Sequence, residues 1–142
     1  MIQAELLLVE DSPADVRLFR EALANHGAPV HLQVVHSGED AMHALRRDGE
    51  YARARRADIV VLDLNLPGMT GREVLAEMKS DPDLRCIPVV VLSVSGAEED
   101  INSAYDLHAN CYIRKPVDVD EYMDAIARCE AFWLSVARLP SR

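Results

Sequence analysis

The sequence predicts an α/β fold: a doubly wound, five-stranded parallel sheet in the order 2-1-3-4-5 with helices on both faces. Two observations predict it. Five short apolar blocks alternate with stretches of helical period along the chain. The blocks "AELLLV", "DIVVLD" and "IPVVVLS" are continuously apolar through their centres rather than alternating, which is how strands covered on both faces read. Right-handed crossovers between such strands close the topology.

The elements follow in order. The first strand runs from Ala4 to Val9 and leads into a helix from Pro13 to Asn25. Ser12 serves as its N-cap, with a proline at the first helical position. The second strand covers Val30 to Val35, and Ser37 caps a helix from Gly38 to Arg47. Asp58 to Asp63 is the third strand, followed by a helix from Gly71 to Lys79; Ile87 to Ser93 is the fourth, followed by Ala97 to Leu107. Asn110 to Lys115 is the fifth, and the last helix begins at Val119.

With 142 residues, 49% of them hydrophobic and 27% charged, the chain has the size and composition of one globular domain rather than a disordered segment. Residues 1–142 are expected to form that one domain, with 129–142 as an extended C-terminal helix and tail. No apolar run approaches the ~20 residues of a membrane span. The N-terminal "MIQAELLLVEDSP" lacks the basic flank of a signal peptide and runs straight into acid. Cys86, Cys111 and Cys129 are scattered, as reduced thiols of a cytoplasmic protein would be. A net charge of −9 disfavours nucleic acid as a partner. His26, His31, His36, His43 and His108 show no metal-binding spacing and read as solvated or loosely packed. Arg46, Arg47, Arg53, Arg55 and Arg56 form a local basic stretch, read as a helix end plus a solvated loop.

The third strand ends on a carboxylate, Asp63, and a turn, Pro67-Gly68, follows. A charge at the end of a buried strand is costly unless something pairs with it. In this topology functional groups collect at the carboxyl ends of the strands. Those ends carry Glu10 and Asp11, Asp63, Ser93, and Lys115. Three crowded carboxylates need a cation, and a hard divalent ion, Mg²⁺ by preference, suits their oxygens. A carboxylate is also a nucleophile toward phosphorus. Metal, ammonium and hydroxyl together can meet the charge on a transferring phosphoryl group.

The segments "LLLVEDSPAD", "DIVVLDLNLPGMTGREVL", "IPVVVLSVSGAEEDI" and "CYIRKPVD" jointly resemble the receiver domain of two-component response regulators, over essentially the whole chain. The resemblance implies a flavodoxin-like receiver fold with Asp63 as phospho-acceptor and Asp11 as a direct Mg²⁺ ligand. By the same resemblance Glu10 acts on the metal largely through water, Asn65 offers its backbone carbonyl, and Lys115 pairs with the phosphoryl group. Ser93 and Tyr112 take the places of the family's switch residues, and the Lys115–Pro116 bond is expected to be cis. The stretch from Leu45 to Ser93 and the tail "AFWLSVARLP" are more closely similar to the single-domain regulators paired with bacterial phytochrome-type histidine kinases. Such a protein catalyses only its own phosphorylation and dephosphorylation, and signals by contact or phosphorelay. Val94 stands where the family carries a smaller residue and is expected to narrow access to Asp63.

Three rival readings are weaker. A nucleotide binder on this fold needs a Ser/Thr/Gly-rich loop after the first strand, and here that loop is "EDSPAD". A metal-dependent phosphohydrolase needs a segment to recognise its substrate. A pseudo-receiver that works without phosphorylation has no use for an intact acidic set.

The final helix carries one apolar stripe, Tyr122/Met123, Ile126, Cys129 and Trp133, spaced to pack on the sheet. A second, Phe132, Val136 and Leu139, follows i, i+4, i+7 on another face. The tail could fold back over its own domain. The preferred expectation is a two-fold homodimer through Phe132, Trp133, Val136 and Leu139.

Overall fold

The computed structural model describes residues 3–25 and 29–141, so His26 lies outside the described residues. Strands β1 (Ala4–Val9), β2 (Val30–Val35), β3 (Ile59–Leu62), β4 (Val89–Ser93) and β5 (Cys111–Arg114) alternate with helices α1 (Pro13–Ala24), α2 (Gly38–Arg46), α3 (Gly71–Ser80), α4 (Glu98–Asp106) and α5 (Val119–Ala131). All strand pairs are parallel and the sheet order is β2-β1-β3-β4-β5. The expected topology is the observed one.

Side-chain alternation splits the core between the two faces of the sheet. Leu7, Val9, Val60, Leu62, Val89 and Val91 point to one side and pack on Val74, Leu75 and Met78 of α3 and on α2. Leu6, Leu8, Ile59, Val61, Val90 and Leu92 point to the other, against Val16 and Phe19 of α1 and Tyr122 and Ile126 of α5. Every residue of β3 and β4 is buried, whereas the edge strands β2 and β5 are mostly half-exposed. Continuous apolar blocks are therefore central strands, as the patterning requires.

Local chemistry sets the helix starts. Ser12 Oγ accepts from Asp15 N–H at 3.3 Å, Ser37 Oγ from Asp40 N–H at 3.1 Å, and Asp118 Oδ2 from Glu121 N–H at 2.9 Å. Thr70 and Glu73 form a reciprocal capping box at α3. The third and fourth strands are shorter than the sequence blocks. Asp58, just before β3, donates its N–H to Glu5 O at 2.8 Å but meets the Glu5 N–H with its side chain, also at 2.8 Å. Pro88 has no N–H to give, and only its carbonyl joins, accepting from Val60 N–H at 3.0 Å.

Two expectations are corrected. Among the described residues no peptide bond is cis, so Lys115–Pro116 is trans. Trans is the favoured form even before proline, and from it the Lys115 side chain still reaches the carboxylates described below. The final helix does not continue with α-helical period either. After Ala131 the chain forms a π-helical turn, Phe132–Val136, in which Ala137 N–H donates to Phe132 O at 2.7 Å. The wider turn brings Trp133 and Leu134 against the α1/α5 side of the core, and leaves Phe132 and Val136 exposed. Trp133 thus packs on its own domain, with its ring edge-to-face on Phe132 at 5.3 Å between centroids.

Candidate functional site

At the carboxyl edge of the sheet β1 ends in Glu10 and Asp11, β3 in Asp63, β4 in Ser93, and β5 in Lys115 just beyond Arg114. Glu10, Asp63, Ser93 and Lys115 are all buried, and Asp11 is exposed. Backbone hydrogen bonds to the neighbouring strands pin these strand ends, the three central strands from both sides and β5 from β4 alone. Glu10 N–H donates to Val35 O at 3.0 Å, Asp63 N–H to Val9 O at 3.0 Å, and Lys115 N–H to Ser93 O at 2.7 Å.

Lys115 Nζ is the hub. It donates to Glu10 Oε1 at 2.5 Å, Asp15 Oδ2 at 2.9 Å and Asp63 Oδ2 at 3.2 Å. Asp63 is held from its other oxygen, since Asn65 N–H donates to Oδ1 at 2.9 Å. Ser12 N–H donates to Glu10 Oε2 at 3.2 Å. Gly71 closes the loop after Asp63 from above. A Cβ there would stand 2.3 Å from Asp63 O, so only glycine permits this approach of α3 to the strand end.

The electrostatics follow from burial among like charges. Burial pushes the Glu10 carboxyl up to about 7, against the opposing pull of Lys115 and with Asp63 adding to the rise. Burial alone would lower Lys115, but Glu10, Asp15 and Asp63 overturn it and hold the ammonium above its ordinary range. Burial likewise raises the Tyr122 hydroxyl, whose Oη lies 3.4 Å from Asp15 O.

One carboxylate oxygen each of Glu10, Asp11 and Asp63 lie within 4.8 Å of one another. Three hard oxygen donors of net negative charge, two of which already draw the buried Lys115 ammonium, fit a hard divalent cation. Asn65 is exposed beside Asp63, with its main-chain amide on the carboxylate.

Ser93 and Tyr112 meet through the loop between β4 and α4 rather than directly. Ser95 N–H donates to Ser93 Oγ at 3.3 Å, and Tyr112 Oη donates to Ser95 O at 2.8 Å. Val94, next to Ser93, is exposed. The basic stretch is partly tied down, with Arg46 on Glu77 at 3.2 Å and Arg56 donating to Asp83 O at 2.8 Å.

A family model, the response regulator receiver domain, matches residues 6–127. The chain belongs to that family. Other receiver proteins share nearly the full length. Response regulator Rcp1 of Synechocystis sp. is 44% identical over 136 residues, 96% of this chain and 92% of that one. The crystal structure of the phosphorylated cyanobacterial phytochrome response regulator RcpA is similar with a TM-score of 0.95, 53% identity, and coverage of 99% of this chain and 100% of that chain. The Mn²⁺-bound form of Rcp1 is similar with a TM-score of 0.93 and 43% identity, covering 97% and 99% of the two chains. As in other receivers, the acidic edge of this domain fits a divalent metal.

The receiver site also contains a residue that the sequence argument passed over. Asp15 is a third carboxylate on Lys115. It sits in the first turn of α1, where an acid already has an ordinary reason to be, namely the helix dipole. Its position four residues after Asp11 was the available clue.

Proposed function

We propose that this chain is a single-domain response regulator, residues 1–142 with 129–142 as an extension, whose Asp63 accepts a phosphoryl group from a sensor histidine kinase. The observation that carries the reading is the buried Asp63 carboxylate at a strand end, 3.2 Å from the Lys115 ammonium and within the acidic triad. In the transfer an Asp63 oxygen forms a bond to phosphorus while the donor's P–N bond breaks. The electron pair returns to the imidazole nitrogen, which takes a proton from water. Lys115 turns its ammonium from the carboxylates to the phosphoryl oxygens, and the Ser93 hydroxyl donates to another. Glu10, Asp11, Asp63 and the Asn65 carbonyl would hold Mg²⁺, which would supply positive charge to the transferring phosphoryl group. Hydrolysis of the acyl phosphate by water regenerates the carboxylate, so the protein turns over only its own modification.

Similarity to phytochrome response regulators supports a phytochrome-type kinase as the donor. The expected result is transfer of labelled phosphate from the autophosphorylated kinase to this chain, with the label lost in alkali. Val94→Ala, followed in the same reaction, is expected to speed transfer or loss by opening the approach to Asp63. No transfer from any such kinase would contradict the partner, and unchanged rates would contradict the role of Val94. A cytoplasmic site of action fits this partner. Among the described residues no helix is long and apolar enough to cross a membrane.

We also propose a homodimer through the C-terminal segment. Phe132 is 51% exposed and Val136 72% exposed, close together on the C-terminal turn. Phe132 borders an open groove of about 320 Å³ lined also by Cys111, Ile113, Ala125, Arg128, Cys129 and Trp133, beside the edge strand β5. Leu139 is half-buried and Trp133 supports the patch from beneath. Sedimentation at tens of micromolar is expected to give a dimer for the full chain and a monomer for Phe132→Ser/Val136→Ser. A monomeric wild-type protein, phosphorylated or not, would refute this assembly. Both substituted positions are exposed, so folding should survive.

A further inference from the structure

The Ser93 hydroxyl is buried, and the partner that fixes it is the N–H of Ser95, at 3.3 Å. Ser95 is itself held on two further sides. Its carbonyl accepts from Tyr112 Oη at 2.8 Å. Its hydroxyl accepts from Ala97 N–H at 3.2 Å and donates to Asp100 Oδ2. Ala97, the N-cap of α4, has no side-chain acceptor to offer the helix, but its own N–H is taken by Ser95 Oγ from two positions upstream, and Asp100 locks that hydroxyl in place.

Asp100 has a second partner. Its Oδ1 receives the guanidinium of Arg72. Arg72 is the second residue of α3 and follows Gly71, the glycine pressed against the Asp63 carbonyl. The chain of contacts thus begins on the helix seated over the Asp63 loop, crosses to α4, and returns through Ser95 to Ser93. The Ser95 and Arg72 contacts also hold the Asp100 carboxyl below its usual range, the hydroxyl contributing most.

We propose that Arg72, Asp100 and Ser95 are positioning residues for Ser93, a latch that holds the loop between β4 and α4 in its unphosphorylated place. The inference rests on the reading of Asp63 as phospho-acceptor. In this proposal Ser93 moves toward the phosphoryl group on Asp63, and because its hydroxyl oxygen accepts from Ser95 N–H, that movement draws Ser95 with it or breaks the bond. That displacement pulls on the Ser95–Asp100 hydrogen bond and, through it, on the Arg72 ion pair. The latch therefore opposes the phosphorylated arrangement, and releasing it favours phosphorylation.

The test is the rate of phosphorylation by acetyl phosphate in excess Mg²⁺, read by intact mass, for wild type, Arg72→Ala, Asp100→Ala, the double variant, Arg72→Lys and Ser95→Ala. Arg72→Ala is expected to react about threefold faster, the size of effect that a partly exposed ion pair can carry. Asp100→Ala and Ser95→Ala should match or exceed it. The double variant should add nothing to Asp100→Ala, because both substitutions break one chain. Arg72→Lys keeps a cation in reach of Asp100 and should return most of the way to the wild-type rate. A general loosening of the fold would lower the melting temperature without that rescue and with additive effects. Such a pattern, or rates equal to wild type in every variant, would overturn the latch and leave the acceptor assignment standing. A wild-type protein that gains no phosphoryl group at all would instead overturn the acceptor assignment.

Discussion

Lys115→Ala is expected to melt well below the wild-type protein when divalent metal is chelated, and Mg²⁺ to recover more in the variant than it adds to wild type. The ammonium is buried and touches three carboxylates, Glu10, Asp15 and Asp63, at 2.5, 2.9 and 3.2 Å. Deleting one partner of a buried ion cluster leaves uncompensated charge, at a cost of about 3–5 kcal/mol. Protonation offers a partial escape, and Glu10 is placed to take it. Its carboxyl is raised from 4.5 to about 7, so between those values the folded wild-type chain holds a proton that the unfolded chain releases. That contribution to stability is complete below 4.5 and is lost as pH rises through 7. Without Lys115 the folded value rises further, so the penalty at pH 8 should exceed that at pH 6. Thermal unfolding of both proteins in chelator at the two pH values checks the claim. Equal melting temperatures would mean that Lys115 is not the counter-charge of this site.

Asp11→Asn is expected to abolish the response to Mg²⁺ while leaving the metal-free fold at least as stable. Asp11 is exposed, so losing its charge costs no buried interaction and relieves repulsion with Glu10 and Asp63. Wild type should gain stability as Mg²⁺ rises, by about 2.7 kcal/mol at a hundredfold excess over the dissociation constant. The variant should stay flat across the same titration and take up no phosphoryl group. A wild-type melting temperature indifferent to millimolar Mg²⁺, with no gain for Asp11→Asn in chelator, would require another explanation for the acidic cluster.

The parts of this protein that could be read from its sequence are those where one local cause dominates. Ala4–Val9 and Val30–Val35 are strands with the bounds that their apolar runs suggest. Glu10, Asp63, Ser93 and Lys115 are legible because a polar residue ending a buried strand needs a reason, and parallel topology brings the strand ends to one edge. The C-terminal turn was not legible. The α-helical period already places Trp133 on the sheet-facing stripe and Phe132 and Val136 on the other face, as found; what it does not reveal is the π-helical turn at Phe132–Val136, with Leu134 packed against the core as well. The Arg72–Asp100 pair leaves no trace in any period, since its members lie 28 residues apart on different helices. Asp15 had too ordinary an alternative, and the trans Lys115–Pro116 bond shows that a family habit need not carry over to each member.

Intact mass after incubation with acetyl phosphate and Mg²⁺ tests the central assignment most directly. The wild-type chain is expected to gain one HPO₃ unit that is lost in alkali and maps to the peptide containing Asp63, and Asp63→Asn is expected to gain none. The same adduct on Asp63→Asn, formed at the wild-type rate, would contradict the account.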